Sequence, residues 1–219
     1  MKIKTAVGAA LLGLFLGIPV AHAIDSPDEV SRGGPGKEYA TEYGRALPPI
    51  GFVQFCARSP DDDDCKPAGG KPNALAMSPE RWNLLYQVNS YVNGKIAPVS
   101  DQDLYGQPEF WAYPTDAGDC EDYVLLKRRY LEGLGFPAEA LLITVVLDEK
   151  KEGHAVLTVT TADGDFILDN RRNEVMRWSD LDYTFLKRQS ARDPRVWVSL
   201  SKDRPQNSGF VAGGSGSGK

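Results

Sequence analysis

The chain has 219 residues, 42% of them apolar, with 25 basic and 30 acidic side chains and a formal charge of −5. That length and composition suit one globular domain with a proper core and argue against two. The acidic balance and the lack of a long basic run exclude a nucleic-acid partner as the leading reading.

Residues 1–23 read as an export signal. Lys2 and Lys4 supply a positive start, Ala6 to Val20 is an uncharged apolar run, and Ala21-His22-Ala23 is a small-residue cleavage site. The run is short for a membrane span, an uncleaved anchor being the alternative. Cleavage removes His22 and leaves 196 of the 219 residues, with 30 acidic against 23 basic side chains and His154 as the remaining histidine. The expected location is the periplasm, or secretion beyond it.

Residues 24–49 are rich in Gly and Pro without a sustained period, which predicts an extended arm, and the domain proper is placed at 50–201. In an oxidising compartment Cys56 and Cys65 can close a short loop, worth roughly 2 to 3 kcal/mol by chain entropy. The run Asp61 to Asp64 lacks the alternating pattern of a calcium loop, so a solvated turn is expected. Ser78-Pro79-Glu80 opens a helix, with Leu85, Val88, Val92 and Ile96 recurring along its buried face.

A second helix is predicted to begin at Cys120. The segment CEDYVLLKRRYLEGL carries acids early and bases later, and Gly135-Phe136-Pro137 stops it. Cys120 then occupies the first turn, where free backbone N–H groups and the helix dipole favour a thiolate. A leftover cysteine is otherwise a small buried hydrophobe, but Gly118, Asp119, Glu121 and Asp122 are unusual core neighbours.

Beyond this helix the period changes to two, predicting strands at Ala140 to Leu147, His154 to Thr161 and Phe166 to Leu168, with a hairpin turn at Asp163-Gly164. Register decides whether His154 and Asp169 meet. A four-residue loop over Thr161 to Gly164 sets Asp169 opposite Val156, diagonal to His154 at about 7 to 8 Å. A two-residue Asp163-Gly164 turn sets it opposite Thr158, too far along, and a three-residue loop puts the pair on opposite faces. The four-residue loop is the expectation.

Cys120, His154 and Asp169 are therefore the candidate nucleophile, base and orienting group of an acyl-transfer centre. Taken singly, His154 reads as a strand-edge histidine and Asp169 as a turn residue; their joint order behind a helix-start cysteine favours catalysis. A structural zinc site is disfavoured for want of four clustered Cys or His ligands. The Cys120 backbone N–H and a side chain from Trp111 to Tyr113 are candidate oxyanion donors, though Trp111 is equally a packed aromatic. Trp178, Tyr183 and Trp197 read as core or groove-lining residues, Arg195 to Leu200 as a final strand, and 202–219 as a flexible tail.

From Asn83 to Leu200 the chain resembles the bacterial transglutaminase-like cysteine peptidases, LapG-type periplasmic proteases among them. The resemblance rests on GDCEDYVLLKRRYLEGLG, GHAVLTV and FILDN, with FWAYPTD also similar. It implies an α+β papain-like or transglutaminase-like fold, with a catalytic Cys at a helix N-terminus packed on an antiparallel sheet carrying His and Asp. It also implies Cys120, His154 and Asp169 as triad, Ca²⁺ as cofactor with Asp119 and Glu121 at ligand positions and Asp122 as a third. Further implications are a protein substrate such as a surface adhesin, released in biofilm dispersal, and an inner-membrane receptor that senses a cyclic dinucleotide. A transglutaminase-type amide acyltransferase and a non-catalytic binding module are the alternative readings on the same fold.

Overall fold

The computed structural model describes residues 38–67 and 74–202. The expected signal segment, the first part of the arm up to residue 37, and the tail from residue 203 lie outside the described residues. In chain order the elements are β1 (Arg45–Ala46), α1 (Ile50–Arg58), α2 (Pro79–Lys95), β2 (Ala97–Pro98), α3 (Asp101–Tyr105), β3 (Ala117–Gly118) and α4 (Cys120–Gly133). They continue with β4 (Leu141–Leu147), β5 (Gly153–Thr161), β6 (Gly164–Asp169), β7 (Arg172–Arg177), β8 (Thr184–Gln189) and β9 (Trp197–Ser199).

The two predicted helices form where their end signals stand. Ser78 caps α2 by accepting a hydrogen bond from the Arg81 amide at 3.3 Å, with Pro79 in the first turn. Leu85, Val88, Val92 and Ile96 are all buried along its inner face. α4 ends in a left-handed turn at Gly135 (φ 85°), where the Phe136 amide reaches back to the Leu131 carbonyl at 3.0 Å. Its buried residues run from Cys120 through Arg128 without a break, so α4 is a central helix rather than a surface one.

The strands form one antiparallel sheet in the order β1-β9-β8-β4-β5-β6-β7, and β2 and β3 make a separate parallel pair. All seven residues of β4 are buried because both sheet faces are covered. On one face Ala155, Leu157 and Val159 pack into the cluster that holds α4 and α2; on the other, Val146, Val156 and Ile167 pack with Leu181, Tyr183 and Phe185. The predicted strands are present, with no end moved by more than two residues.

The β5–β6 register pairs Thr160 with Asp165 and Leu157 with Leu168, as expected. The pairing runs one step further than predicted, to Thr161↔Gly164, so the loop itself shrinks to Ala162-Asp163. Gly164 takes φ 122°, and a side chain there would collide with the Glu38 backbone that bridges to it. Extended by one residue, this register sets Asp169 level with Val156 and on the same face as His154.

Several features were not anticipated. β7 and β8 were unassigned in the sequence, yet β8 sits between β9 and β4, inside the sheet. The last residues of the arm are tied in: β1 pairs with β9, and the Ala40 amide donates to Asp165 Oδ2 at 3.0 Å. The disulfide between Cys56 and Cys65 is present, but the aspartate run it encloses is not simply solvated. Asp64 is 1% exposed and pairs with Arg128 of α4 at 3.1 Å, while Asp62 accepts the Tyr113 hydroxyl at 3.0 Å. A carboxylate is carried inside here because a guanidinium and a phenol meet it there.

Candidate active site

Cys120 is the first residue of α4 and His154 the second of β5. Both line a cavity of about 660 Å³, together with Asn93, Asp103, Asp119 and Arg171 among others. β-strand alternation turns His154 away from the face on which Ala155 meets the helices. The two side chains share a cavity because each lies at the end of its element, where the sheet and helix edges open. The Ala155 amide donates to Cys120 Sγ at 3.4 Å, so the sulfur sits against the backbone next to His154.

Asp169 holds the imidazole. Its Oδ1 lies 2.9 Å from His154 Nε2 and accepts from the Arg171 amide at 3.0 Å; its Oδ2 accepts from the Tyr183 hydroxyl at 2.7 Å. Arg172 Nε adds an ion pair at 3.4 Å. Burial opposes ionisation of Asp169, but the bond and charge of His154, helped by the Arg171 amide and Tyr183, hold its carboxyl well below the usual range. An ionised carboxylate only accepts, so when the imidazole is neutral Nε2 carries its proton and Nδ1 its lone pair. Nδ1 is buried and has no hydrogen-bond partner. Sequence reading placed Tyr183 only as core or groove lining; no local motif marks it as a partner of Asp169.

The sulfur itself departs from expectation. Its place at a helix start predicts an acidic thiol, yet burial pushes Cys120 well above the ordinary value, aided by the charges of Glu121 and Asp119 and by the thiol's 3.1 Å bond to Glu121 Oε2. A low-dielectric pocket with two adjacent acids outweighs the helix dipole. The Ala155 amide acts the other way.

The acids gather into a group the sequence had half identified. One oxygen each from Asp101, Asp119 and Glu121 lie within 4.8 Å of one another. Asp101 Oδ1, Asp119 Oδ1 and Glu121 Oε1 are buried without hydrogen-bond partners. Asp119 stands at the N-cap of α4 but does not cap it; its Oδ2 accepts the Asp101 amide at 3.3 Å instead. Burial, then mutual repulsion, raises Asp119 to about 6 and Glu121 well above the carboxylate range; Asp101 is raised by burial. Asp122, the third expected ligand, stands outside this group. Its Oδ1 accepts the Ala112 amide at 2.8 Å, and burial, with Asp119 and Asp101 adding, raises it to about 8. Asp101 was missed because it lies some twenty residues upstream in the short α3, with no ligand spacing to Cys120.

The donor set suits a hard divalent cation. Two oxygens each about 2.4 Å from one ion lie at most about 4.8 Å apart, so the spacing of the three carboxylates is compatible with one shared cation. Neither proposed oxyanion side chain is at hand: Trp111 is fully buried with Nε1 bonded to Glu109 at 2.8 Å, and the Tyr113 hydroxyl serves Asp62 and Asp64.

A helix-start cysteine beside a histidine that a carboxylate orients from an antiparallel sheet is the arrangement of papain-like and transglutaminase-like thiol enzymes. Residues 42–205 match the family model described as bacterial transglutaminase-like cysteine proteinase, and the chain belongs to that family. It is a cysteine peptidase of α+β fold. Among solved structures it is similar to Legionella pneumophila LapG in a calcium-bound form, at 24% identity over 63% of this chain and 77% of that one, with a TM-score of 0.48. An EGTA-treated form of the same protein matches at 21% identity over 73% and 90%, also with a TM-score of 0.48. No curated protein matches the chain. No helix among the described residues is long and apolar enough to cross a membrane.

Proposed function

We propose that this peptidase works outside the cytoplasm and hydrolyses peptide bonds of a protein substrate through Cys120, His154 and Asp169. The observation that carries the reading is the imidazole of His154, clamped through Nε2 by Asp169 with Nδ1 unoccupied, in the same cavity as Cys120. His154 Nδ1 accepts the thiol proton as sulfur attacks the scissile carbonyl carbon. The Cys120 amide, at the helix start, faces the developing oxyanion. When the tetrahedral adduct collapses, the C–N bond breaks and the proton passes from His154 to the leaving amine. Water, deprotonated by the same nitrogen, then cleaves the thioester and restores the thiol.

Asp101, Asp119 and Glu121 are the residues that would hold Ca²⁺, with Asp122 close behind through its unpartnered Oδ2. When bound, the ion supplies positive charge that neutralises the acids opposing thiolate formation. Glu121, drawn to a cation, no longer needs the thiol proton that its Oε2 now accepts.

This has a stability signature. A carboxyl raised by folding lends stability that is fully present below its unfolded value, near 4, and lost as pH rises through its folded value. The metal-free protein is therefore expected to lose thermal stability as pH rises from about 4 through about 8, where Asp122 titrates, with Glu121, raised well above the carboxylate range, adding to the loss. At pH 7.5, millimolar calcium should restore about 3 kcal/mol, or roughly 10 °C in Tm, if it binds in the ten-micromolar range. Scanning calorimetry across that window with chelator or calcium decides it: identical curves would remove the metal from the reading.

A surface adhesin as substrate, and a cyclic-dinucleotide receptor as partner, extend the proposal. The direct experiment exposes the host's extracellular proteins to wild type and to Cys120→Ala, and maps new N-termini. Termini that need the thiol support hydrolysis; glutamine residues joined to amines without new termini would reassign the chemistry to acyl transfer.

A further inference from the structure

The backbone that carries Asp169 is not held by the sheet ladder alone. β6 and β7 pair regularly at Phe166↔Arg177 and Ile167↔Met176, but the next pair is Asp169↔Arg172. Leu168 alone spans the gap that Asn173, Glu174 and Val175 span on β7, so the register breaks beside Asp169. A bulge bends its strand and interrupts the ladder, and the backbone there needs other restraints. Two asparagines of α2 supply them. Asn89 and Asn93 stand one turn apart on the same face of that helix, and both donate to the Arg172 carbonyl, at 2.9 Å each. Asn89 Nδ2 also donates to the Asn173 carbonyl at 3.0 Å. Asn93 Nδ2 donates instead to the carbonyl of Asp169 itself at 2.9 Å, with Asn173 Oδ1 at 3.2 Å as a further acceptor. The Asn93 amide can face only this way, because turned over it would set Oδ1 against two carbonyls.

We infer that Asn93 is a positioning residue for the Cys–His–Asp centre: through the Asp169 carbonyl it fixes the backbone from which that carboxylate reaches the imidazole. This rests on the triad proposed above. The carboxylate must meet His154 Nε2 at 2.9 Å with one oxygen and the Tyr183 hydroxyl at 2.7 Å with the other. A short side chain that meets both at once tolerates little movement of its own Cα. Asn93 also lines the cavity that Cys120 and His154 share, whereas Asn89 is 0% exposed. The Oδ1 atoms of both asparagines are buried without hydrogen-bond partners, which costs stability, so their use lies in what their Nδ2 groups hold. The two residues form a built-in contrast. They share a helix, a chemistry and one acceptor, and differ in the second: a carbonyl beyond the turn for Asn89, the carbonyl of the triad acid for Asn93.

Asn93→Ala and Asn89→Ala are each expected to lower Tm by about 5 °C, since each takes a donor from two carbonyls. On a peptide taken from a mapped cleavage site, kcat should fall about tenfold or more in Asn93→Ala with KM within about twofold, and should stay within about twofold of wild type in Asn89→Ala. The deciding arm combines Asn93→Ala with Asp169→Asn. A residue that acts through Asp169 has nothing left to position once that carboxylate is gone, so in the Asp169→Asn background Asn93→Ala should cost less than about a further twofold, whereas general damage to the fold multiplies. Should Asn93→Ala fail to fold, Asn93→Ser, a milder change at this half-buried position, goes through the same cycle. Unchanged kcat in the folded Asn93 variant, equal losses in the two asparagine variants, or a tenfold loss that persists without the Asp169 carboxylate would overturn the inference. Failure of the triad reads differently: Asp169→Asn alone would keep its kcat.

Discussion

Cys120→Ser should lower kcat/KM on a peptide taken from a mapped cleavage site by at least about 10⁴-fold while leaving the fold intact. The hydroxyl occupies the place of the sulfur, can accept from the Ala155 amide and can donate to Glu121, so these contacts of Sγ survive. What changes is the proposed nucleophile. Oxygen holds its proton far more tightly than sulfur, and the surroundings already disfavour an anion through burial and two neighbouring acids. A base that can draw a proton from a thiol in such a pocket cannot do so from an alcohol. Calorimetry should place the variant within about 1 kcal/mol of wild type. Retention of more than a hundredth of the activity would take the sulfur out of the chemistry.

Asp169→Asn should cost about 10³ to 10⁴-fold in kcat and, unlike the cysteine variant, should also destabilise the protein. Every group around this side chain donates: His154 Nε2 and the Arg171 amide to Oδ1, the Tyr183 hydroxyl to Oδ2. An asparagine must turn its NH₂ towards one of those sides. Turned to His154, it donates to Nε2 and drives the proton to Nδ1, the nitrogen that the proposed mechanism needs empty to receive the thiol proton. Turned to Tyr183, it sets two donors against each other, although the hydroxyl can rotate. The loss in stability should be about 1 to 3 kcal/mol. Denaturant unfolding and the kinetics of the same samples give both numbers, and a stable variant with normal kcat would show that Asp169 does not set the tautomer.

Cys120 was legible because helix signals are short-range: an acidic first turn, good helix formers and a Gly stop 15 residues later. The His154 and Asp169 pairing was legible because hairpin register follows from loop length, and Thr160↔Asp165 is the register that a four-residue loop demands. β8 was invisible for the opposite reason. Its sequence TFLKRQ shows no apolar alternation, and its charged residues are tolerated inside only because distant partners meet them. Arg188 bonds to Asp165 and Glu42 at 2.7 Å each, and Gln189 accepts from Arg128 at 3.0 Å.

The same division runs through the site. Local spacing along the chain named the sulfur, the imidazole and the carboxylate, together with Asp119 and Glu121 beside them, because helix and strand periods and turn chemistry act over a few residues. Chain closure alone brought Asp101 from α3 to the acids of α4 and set Tyr183 on Asp169. Packing also reversed the sign expected for the thiol. Dielectric surroundings and the distances between ionisable groups belong to the folded interior, where residues far apart in sequence become neighbours, and no short-range pattern encodes them.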